Sequence, residues 1–316
     1  MEKVLVTAPG FDLFGDDGKE ALAGAGLAFE IVKGQQNLSA ERLLELLPTY
    51  DALIVGSDEL TKAILDRTHL KVVSKHGVGI DNIDLQAAAA LRIMVCNVPG
   101  SILEDAVADF TLTLILSLAK GIVIMDRQTK QGGWKKRAGR TLQTSVLGVL
   151  GMGRIGKNIA RKARALGMSV LGWDLRPDRN FAVNHGIEYV GFEDLLRNAD
   201  FVSLNVPLSN ETKGLIGTTQ LQIMKQGSYL INTGRGGLVN EQALYEALLA
   251  GHLAGAALDT FANEPPAGSP LLGLDNVIAT PHAAAYTPET LRAVSRTAAE
   301  NVVAALNGVP QHLCSV

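Results

Sequence analysis

The sequence predicts an α/β protein made of two doubly wound parallel-sheet domains. Three observations predict it. Short β-rich runs alternate with helical patterns over the first hundred residues. The alternation breaks at Asn97-Val-Pro-Gly100 and resumes at Val146. The second series opens with VLGVLGMGRIG (146–156), a strand running into three glycines and then a helix. Alternation of this kind implies right-handed βαβ units and parallel sheets.

In the first series the strand candidates are Lys3–Ala8, Phe29–Lys33, Asp51–Gly56, Lys71–His76 and Arg92–Val98. Lys19–Leu27, Ala40–Leu47, Leu60–Asp66 and Asp84–Leu91 suit the helices between them. One long helix is then expected from about Ile102 to Gln128, ended by Gln131-Gly-Gly-Trp134. Six strands follow: Val146–Leu150, Ser169–Trp173, Phe201–Val206, Ser228–Asn232, Gly255–Leu258 and Val277–Thr280. An amphipathic helix over Thr287–Leu306 closes the chain.

The 316 residues, 47% of them hydrophobic, suffice for two cores. A net charge of −3 gives no sign of a sequence-independent hold on nucleic acid, which needs a strong basic excess. The cluster Lys135, Lys136, Arg137 and Arg140 reads as a solvated loop. Cys96 and Cys314 make poor material for a disulfide framework and fit a reducing compartment. The N-terminus MEKVLVTAPGF has no apolar signal core, and Ala106–Ile124 carries Asp109 and Lys120 like a buried helix. A cytoplasmic protein without a membrane span is expected.

The glycine turn has the context of a dinucleotide site. Gly151 permits a tight turn, Gly153 a close backbone approach to a pyrophosphate, and Gly156 close helix–strand packing. The helix N-terminus offers N–H groups and partial positive charge. Asp174, 18 residues beyond Gly156 at the next strand end, is placed to accept from ribose hydroxyls. A carboxylate about 5 Å from a 2′-phosphate repels it by roughly 3 kcal/mol at an effective dielectric of 20, which favours NAD over NADP. Arg176 and Arg179 either offset this or are exposed loop charge.

Ligands in such sheets bind beyond the carboxyl ends of the strands. Those ends carry Asn205-Val-Pro207, Asn232-Thr-Gly-Arg-Gly-Gly237, Asp259 with Phe261-Ala-Asn-Glu-Pro-Pro266, and Thr280-Pro-His282-Ala-Ala-Ala285. Singly, Arg235 suits a surface ion pair, Glu264 a turn cap and His282 a satisfied loop histidine. Together they suit hydride chemistry at a carbon bearing a hydroxyl. A histidine beside a carboxylate can keep a proton near neutral pH, and an arginine can hold a carboxylate or polarise a carbonyl.

At this point the sequence resembles the D-isomer-specific 2-hydroxyacid dehydrogenase family over nearly its whole length. The resemblance rests on Lys75-His-Gly-Val-Gly-Ile-Asp-Asn-Ile-Asp84, Gly151–Gly156, Asn232–Gly237, Ala257–Phe261 with Glu264-Pro265, and Pro281-His282. It implies a flavodoxin-like substrate domain, 1–99 plus 286–316, and an inserted Rossmann NAD-binding domain, 100–285. A cleft closed by hinge motion would lie between them. The helices Ile102–Gln128 and Thr287–Leu306 would be the crossovers. The first of these, with the Trp134 loop, would be the homodimer contact.

The resemblance also assigns roles. His282 would be the acid/base, oriented by Glu264, and Arg235 would bind the substrate's carboxylate and 2-oxygen. Lys75, His76, Gly77, Val78 and Gly79 would form the substrate loop, with the N–H groups of Val78 and Gly79 holding the carboxylate. Arg154, Ile155, Asp174, Val206, Thr212, Thr233, Gly234, Asp259 and Ala284 would join the three glycines at the cofactor, Asp259 near the nicotinamide amide. No metal is called for. Glu264 stands where the formate dehydrogenase branch has glutamine, which implies proton transfer coupled to hydride transfer.

The chain looks most like a short 3-phosphoglycerate dehydrogenase or a hydroxypyruvate/glyoxylate reductase, the latter possibly NADPH-linked, with no room after Val316 for a regulatory domain. Lys75 and His76 are placed to help with a phosphate. Against that, Gly56 stands where phosphoglycerate enzymes tend to carry arginine, Asp58 and Glu59 add negative charge, and Pro99–Asp105 is about one residue longer than usual. The expected ligand is thus a small D-2-hydroxy or 2-oxo acid, with no nucleic-acid or membrane partner. A reading of another class is a non-enzymatic NAD sensor like the corepressors that share this fold.

Overall fold

The computed structural model describes residues 2–33 and 38–314. Two compact units divide the chain, Met1–Leu103 with Tyr286–Val316, and Glu104–Ala285.

The first unit is built from β1 (Lys3–Val6), α1 (Asp17–Gly24), β2 (Ala28–Ile31), α2 (Ala40–Leu46), β3 (Ala52–Val55), α3 (Lys62–Leu65), β4 (Val72–Lys75), α4 (Leu85–Ala90) and β5 (Met94–Cys96). Its sheet is parallel, in the order β2-β1-β3-β4-β5. Alternate residues explain why both faces are covered. Leu5, Leu53, Val55 and Val73 enter one apolar cluster. Val4, Val6, Ala52, Ile54 and Val72 enter another, with Val294, Ala298 and Val302 of the C-terminal helix. Strands buried on both faces are the mark of a doubly wound sheet.

The second unit begins with α5 (Glu104–Lys120) and α6 (Ile122–Lys130). These correct the expected single helix. The axis bends by 63° between them. Gly121 sits at the break in the left-handed region, φ 63°, a conformation that an α-helix interior does not hold. No single helix among the described residues is long and apolar enough to cross a membrane; only this bent pair passes, by length and composition alone. α5 spends its apolar face on the core through Val107, Ala108, Leu112, Ile115 and Leu118.

The unit continues with β6 (Val146–Leu150), α7 (Arg154–Ala165), β7 (Ser169–Trp173), α8 (Arg179–His185), β8 (Glu188–Tyr189), α9 (Phe192–Asn198), β9 (Phe201–Leu204), α10 (Thr218–Ile223), β10 (Tyr229–Asn232), α11 (Glu241–Leu249), β11 (Gly255–Leu258) and β12 (Val277–Ala279). The strand order is β12-β11-β10-β9-β6-β7-β8, all parallel. The order reverses at β6 and β9, the switch point where dinucleotides bind. Seven strands appear where six were expected. The seventh, β8, is two residues at a sheet edge, too short for a periodic signal. Leu147, Val149, Phe201, Ile231 and Ala257 feed one buried cluster; Leu150, Val202, Leu204, Leu230 and Leu258 feed the other.

The last helix, α12 (Pro288–Leu306), returns to the first unit. Its start is set by Thr287, whose hydroxyl accepts from the Thr290 N–H, with Pro288 at the first helical position. Asp84 caps α4 in the same way through the Ala87 N–H. Both residues lie one place outside the helices that they begin.

Candidate active site

At the switch point β6 ends in the glycine turn. Gly151 has φ 91°, and a Cβ there would meet the Asn205 carbonyl oxygen at 2.6 Å. A Cβ on Gly156 would lie 1.9 Å from the Gly151 carbonyl oxygen. Both glycines are therefore fixed by the turn itself. Gly153 differs: its φ is −71° and a Cβ would meet nothing within 4 Å. The chain places no demand for glycine there, so the open space suits a ligand that comes close to the backbone. Gly153 and Arg154 are exposed where α7 begins, Ile155 is half-buried, and the first-turn N–H groups have no acceptor four residues back. Val206 lies beside the turn, its Cγ1 2.9 Å from a Cβ built on Gly151.

Asp174 stands one residue beyond β7 and is half-buried. Its carboxylate accepts from the Met152 N–H at 2.7 Å and the Arg176 N–H at 2.8 Å. The first bond ties the ribose-side carboxylate to the glycine turn. The Arg176 and Arg179 side chains are exposed. Thr212 folds back on its own loop, donating to the Pro207 carbonyl at 2.7 Å. Turn, helix start and carboxylate fit a dinucleotide.

Arg235, Glu264 and His282 share one neighbourhood beyond β10, β11 and β12. Asn232, buried at the end of β10, clasps the arginine turn: its amide donates to the Arg235 carbonyl at 2.8 Å and accepts from the Gly234 N–H at 3.1 Å. The motif gives Asn232 no role of its own; two bonds across a strand-end turn are what its short amide is suited to make. Gly236 lets the turn press on the next strand end, since a Cβ there would sit 1.9 Å from the Phe261 carbonyl carbon. The Arg235 guanidinium donates to the Gly234 carbonyl at 2.9 Å. Thr233 is buried and hydrogen-bonded to Thr111 of α5 at 2.8 Å.

His282 Nδ1 and Glu264 Oε2 are 2.9 Å apart. The other Glu264 oxygen accepts from the Phe261 N–H at 3.1 Å. Burial works to raise the Glu264 pKa. The His282 hydrogen bond and charge, the Phe261 N–H and the Arg235 charge outweigh it, so the net shift is downward. A carboxylate acceptor keeps a proton on Nδ1, so a neutral ring has its lone pair at Nε2. The imidazole is 49% exposed and Glu264 32%, which leaves Nε2 open to a ligand.

In the first unit the loop after β4 behaves differently from its sequence reading. The Lys75 ammonium donates to the Gly56 carbonyl at 2.5 Å and to Asn82 Oδ1 at 2.8 Å. His76 Nε2 is 2.9 Å from the Ser295 hydroxyl, and burial, then the Lys75 charge, pushes its pKa down to about 4. A neutral His76 corrects the idea that this pair supplies two cations. Asp58 is also redirected: it is buried and accepts from Thr7 at 2.5 Å and from the Leu38 N–H at 2.6 Å. Gly77 has φ 153°, and its carbonyl accepts from the Val98 N–H. The half-buried N–H groups of Val78 and Gly79 donate to no acceptor among the described residues, which suits an anion.

Fold and site together define a dinucleotide-binding α/β protein with an imidazole–carboxylate pair and an arginine at its strand ends. Residues 112–284 match the family model for the D-isomer specific 2-hydroxyacid dehydrogenase NAD binding domain. The chain is 39% identical over 313 residues to a D-3-phosphoglycerate dehydrogenase of Methanocaldococcus jannaschii, covering 98% of this chain and 58% of that protein. It is 38% identical over 294 residues to a glyoxylate reductase of Korarchaeum cryptofilum, covering 90% and 88%. A solved structure of a Thermus thermophilus protein matches with a TM-score of 0.89 at 37% identity, covering 99% of this chain and 100% of that one. The chain belongs to the D-isomer specific 2-hydroxyacid dehydrogenase family. It spans little more than half the length of the phosphoglycerate dehydrogenase that it matches.

Proposed function

We propose that this protein is an NAD-dependent dehydrogenase interconverting a D-2-hydroxy acid and its 2-oxo acid. The observation that carries the reading is the 2.9 Å contact between His282 Nδ1 and Glu264 Oε2, beside Arg235. Bound NAD supplies the hydride acceptor, held by the glycine turn, the start of α7 and Asp174. In oxidation Nε2 of His282 takes the hydroxyl proton; in reduction it returns one to the 2-oxygen. Glu264 steadies the charged ring. Arg235 neutralises the substrate carboxylate and polarises the 2-oxygen.

A panel of 2-oxo acids, followed by loss of NADH or NADPH absorbance, tests this. Glyoxylate and hydroxypyruvate should turn over with NADH. NADPH should be poorer by about a hundredfold in kcat/KM, as the roughly 3 kcal/mol of Asp174 repulsion requires. No turnover with any acid and either cofactor would remove the proposal. NADH-responsive capture of a protein partner without turnover would favour the sensor reading instead.

The Glu264 shift has a sign. Its folded pKa lies below the ordinary 4.5, so its stabilising contribution is complete above that value and is lost as pH falls through the folded one. Thermal midpoints of the wild type and Glu264→Gln should therefore converge on acidification below the carboxylate range. A gap that stays constant down to strongly acidic pH would show that the charge is not what matters.

The homodimer is likewise proposed. Trp134 is 88% exposed, and Ile122 and Val123 are exposed at the start of α6. Light scattering should give twice the 33.4 kDa chain mass, and Trp134→Asp should lower it. A monomer at micromolar wild-type concentration would rule the dimer out.

A further inference from the structure

The Val78 and Gly79 N–H groups, which donate to no acceptor among the described residues, are aimed by the carbonyls behind them. A trans peptide is planar, so the carbonyl of one residue and the N–H of the next point in opposite directions. The Gly77 carbonyl accepts from the Val98 N–H at 3.0 Å. The Val78 carbonyl accepts from the Asn97 side-chain amide at 2.7 Å. Both carbonyls are drawn to the chain just beyond β5, so the Val78 and Gly79 N–H groups face away from it, side by side. Successive N–H groups on one side make an anion-binding concavity, and a pair of donors matches the two oxygens of a carboxylate.

Asn97 is in turn held by the C-terminal segment. Its N–H donates to the His312 carbonyl at 3.2 Å, and its carbonyl accepts from the Asn301 amide at 2.9 Å. Asn301 lies in α12 and is fully buried. Its NH2 faces Asn97, so its amide oxygen is the acceptor for Nδ1 of His312, at 3.0 Å. The His312 backbone sits in the left-handed region, φ 51°, a cost that its surroundings must offset. Next to it the Cys314 N–H donates to the Val95 carbonyl at 2.8 Å, which lays the segment along β5. We propose that Asn97 is a positioning residue that orients a carboxylate-binding pair of peptides at Val78 and Gly79, and that Asn301 and His312 hold Asn97 for that task. The whole relay lies within the first unit, so the inference does not rest on the reaction proposed above.

Titration of the isotope-labelled full chain with acetate, read by NMR at the Val78 and Gly79 amides, tests the relay without any turnover. In the wild type both amides should shift along one saturating curve. Asn97→Leu keeps the size and the backbone bonds and loses the donor to Val78. Its acetate affinity should fall about tenfold, the scale of one donor lost from a partly buried acceptor. His312→Gly tolerates the left-handed backbone and loses only the imidazole bond. Its affinity should fall less, about threefold, because the imidazole acts at one remove. The NADH dissociation constant, read by fluorescence, should stay within about twofold in both variants, since the glycine turn belongs to the other unit. A crystal structure of Asn97→Leu should show the Val78–Gly79 peptide turned, its N–H no longer beside that of Val78. Wild-type amides that ignore acetate would overturn the proposal. So would an Asn97→Leu protein with wild-type acetate affinity and an unturned peptide. Acetate and NADH binding lost in equal measure would also overturn it, since that marks a general folding defect.

Discussion

Replacing His282 with alanine lowers kcat for 2-oxo acid reduction by about two to four orders of magnitude, the range typical of a lost general acid–base. NADH affinity should stay close to wild type. The ring is half exposed and its one observed side-chain bond is to Glu264, so little packing is lost. Stopped-flow absorbance at about 340 nm, where the reduced nicotinamide of a cofactor enzyme absorbs, measures the effect with saturating NADH. Turnover within about threefold of wild type would transfer the proton to another group, since a true acid–base rarely costs so little. Glu264→Gln should fall between the two proteins. The amide keeps a hydrogen bond to Nδ1 but gives up the negative charge beside the ring.

Arg235→Ala should lower kcat/KM for the 2-oxo acid by about two to three orders of magnitude, within the roughly 2–5 kcal/mol typical of truncating one partner of a desolvated charge pair. Arg235→Lys should recover only part, because an ammonium keeps the charge and loses the planar fork. The NADH dissociation constant is the control and should stay unchanged. The backbone supports this division of labour. Asn232 and Gly236 hold the arginine turn in place whatever the side chain at 235, so the loss reports the guanidinium and not the loop. An Arg235→Ala protein with normal kcat/KM would leave the substrate carboxylate to other donors.

Most of the fold was legible because its strands are buried on both faces. Val4, Leu5 and Val6 or Leu147, Val149 and Leu150 read as continuous apolar runs, and such runs between helical patterns mean parallel strands. Two features were not. β8 is two residues at a sheet edge, and the α5–α6 break depends on one glycine, common enough inside helical patterns to pass unremarked. The strand-end motifs located His282, Glu264 and Arg235, because polar residues beyond apolar strands stand out. Side-chain direction was the hidden part. The sequence shows a lysine and a histidine at 75 and 76, but not that one is tied to Gly56 and Asn82 and the other is half-buried beside Ser295. It shows Asp259 near a cofactor site, but not that its oxygens face the His282 loop.

The proposed chemistry turns on a single imidazole delivering a proton to the oxygen of the carbon that exchanges hydride with NAD. A crystal structure of the protein with NAD and oxamate, an unreactive 2-oxo acid mimic, tests that most directly. His282 Nε2 should then lie within about 2.6–3.2 Å of the oxamate carbonyl oxygen. Nδ1 should still be on Glu264, and the Arg235 guanidinium on the oxamate. Oxamate bound with no contact to His282 or Arg235, or NAD seated away from the Gly151–Gly156 turn, would contradict it.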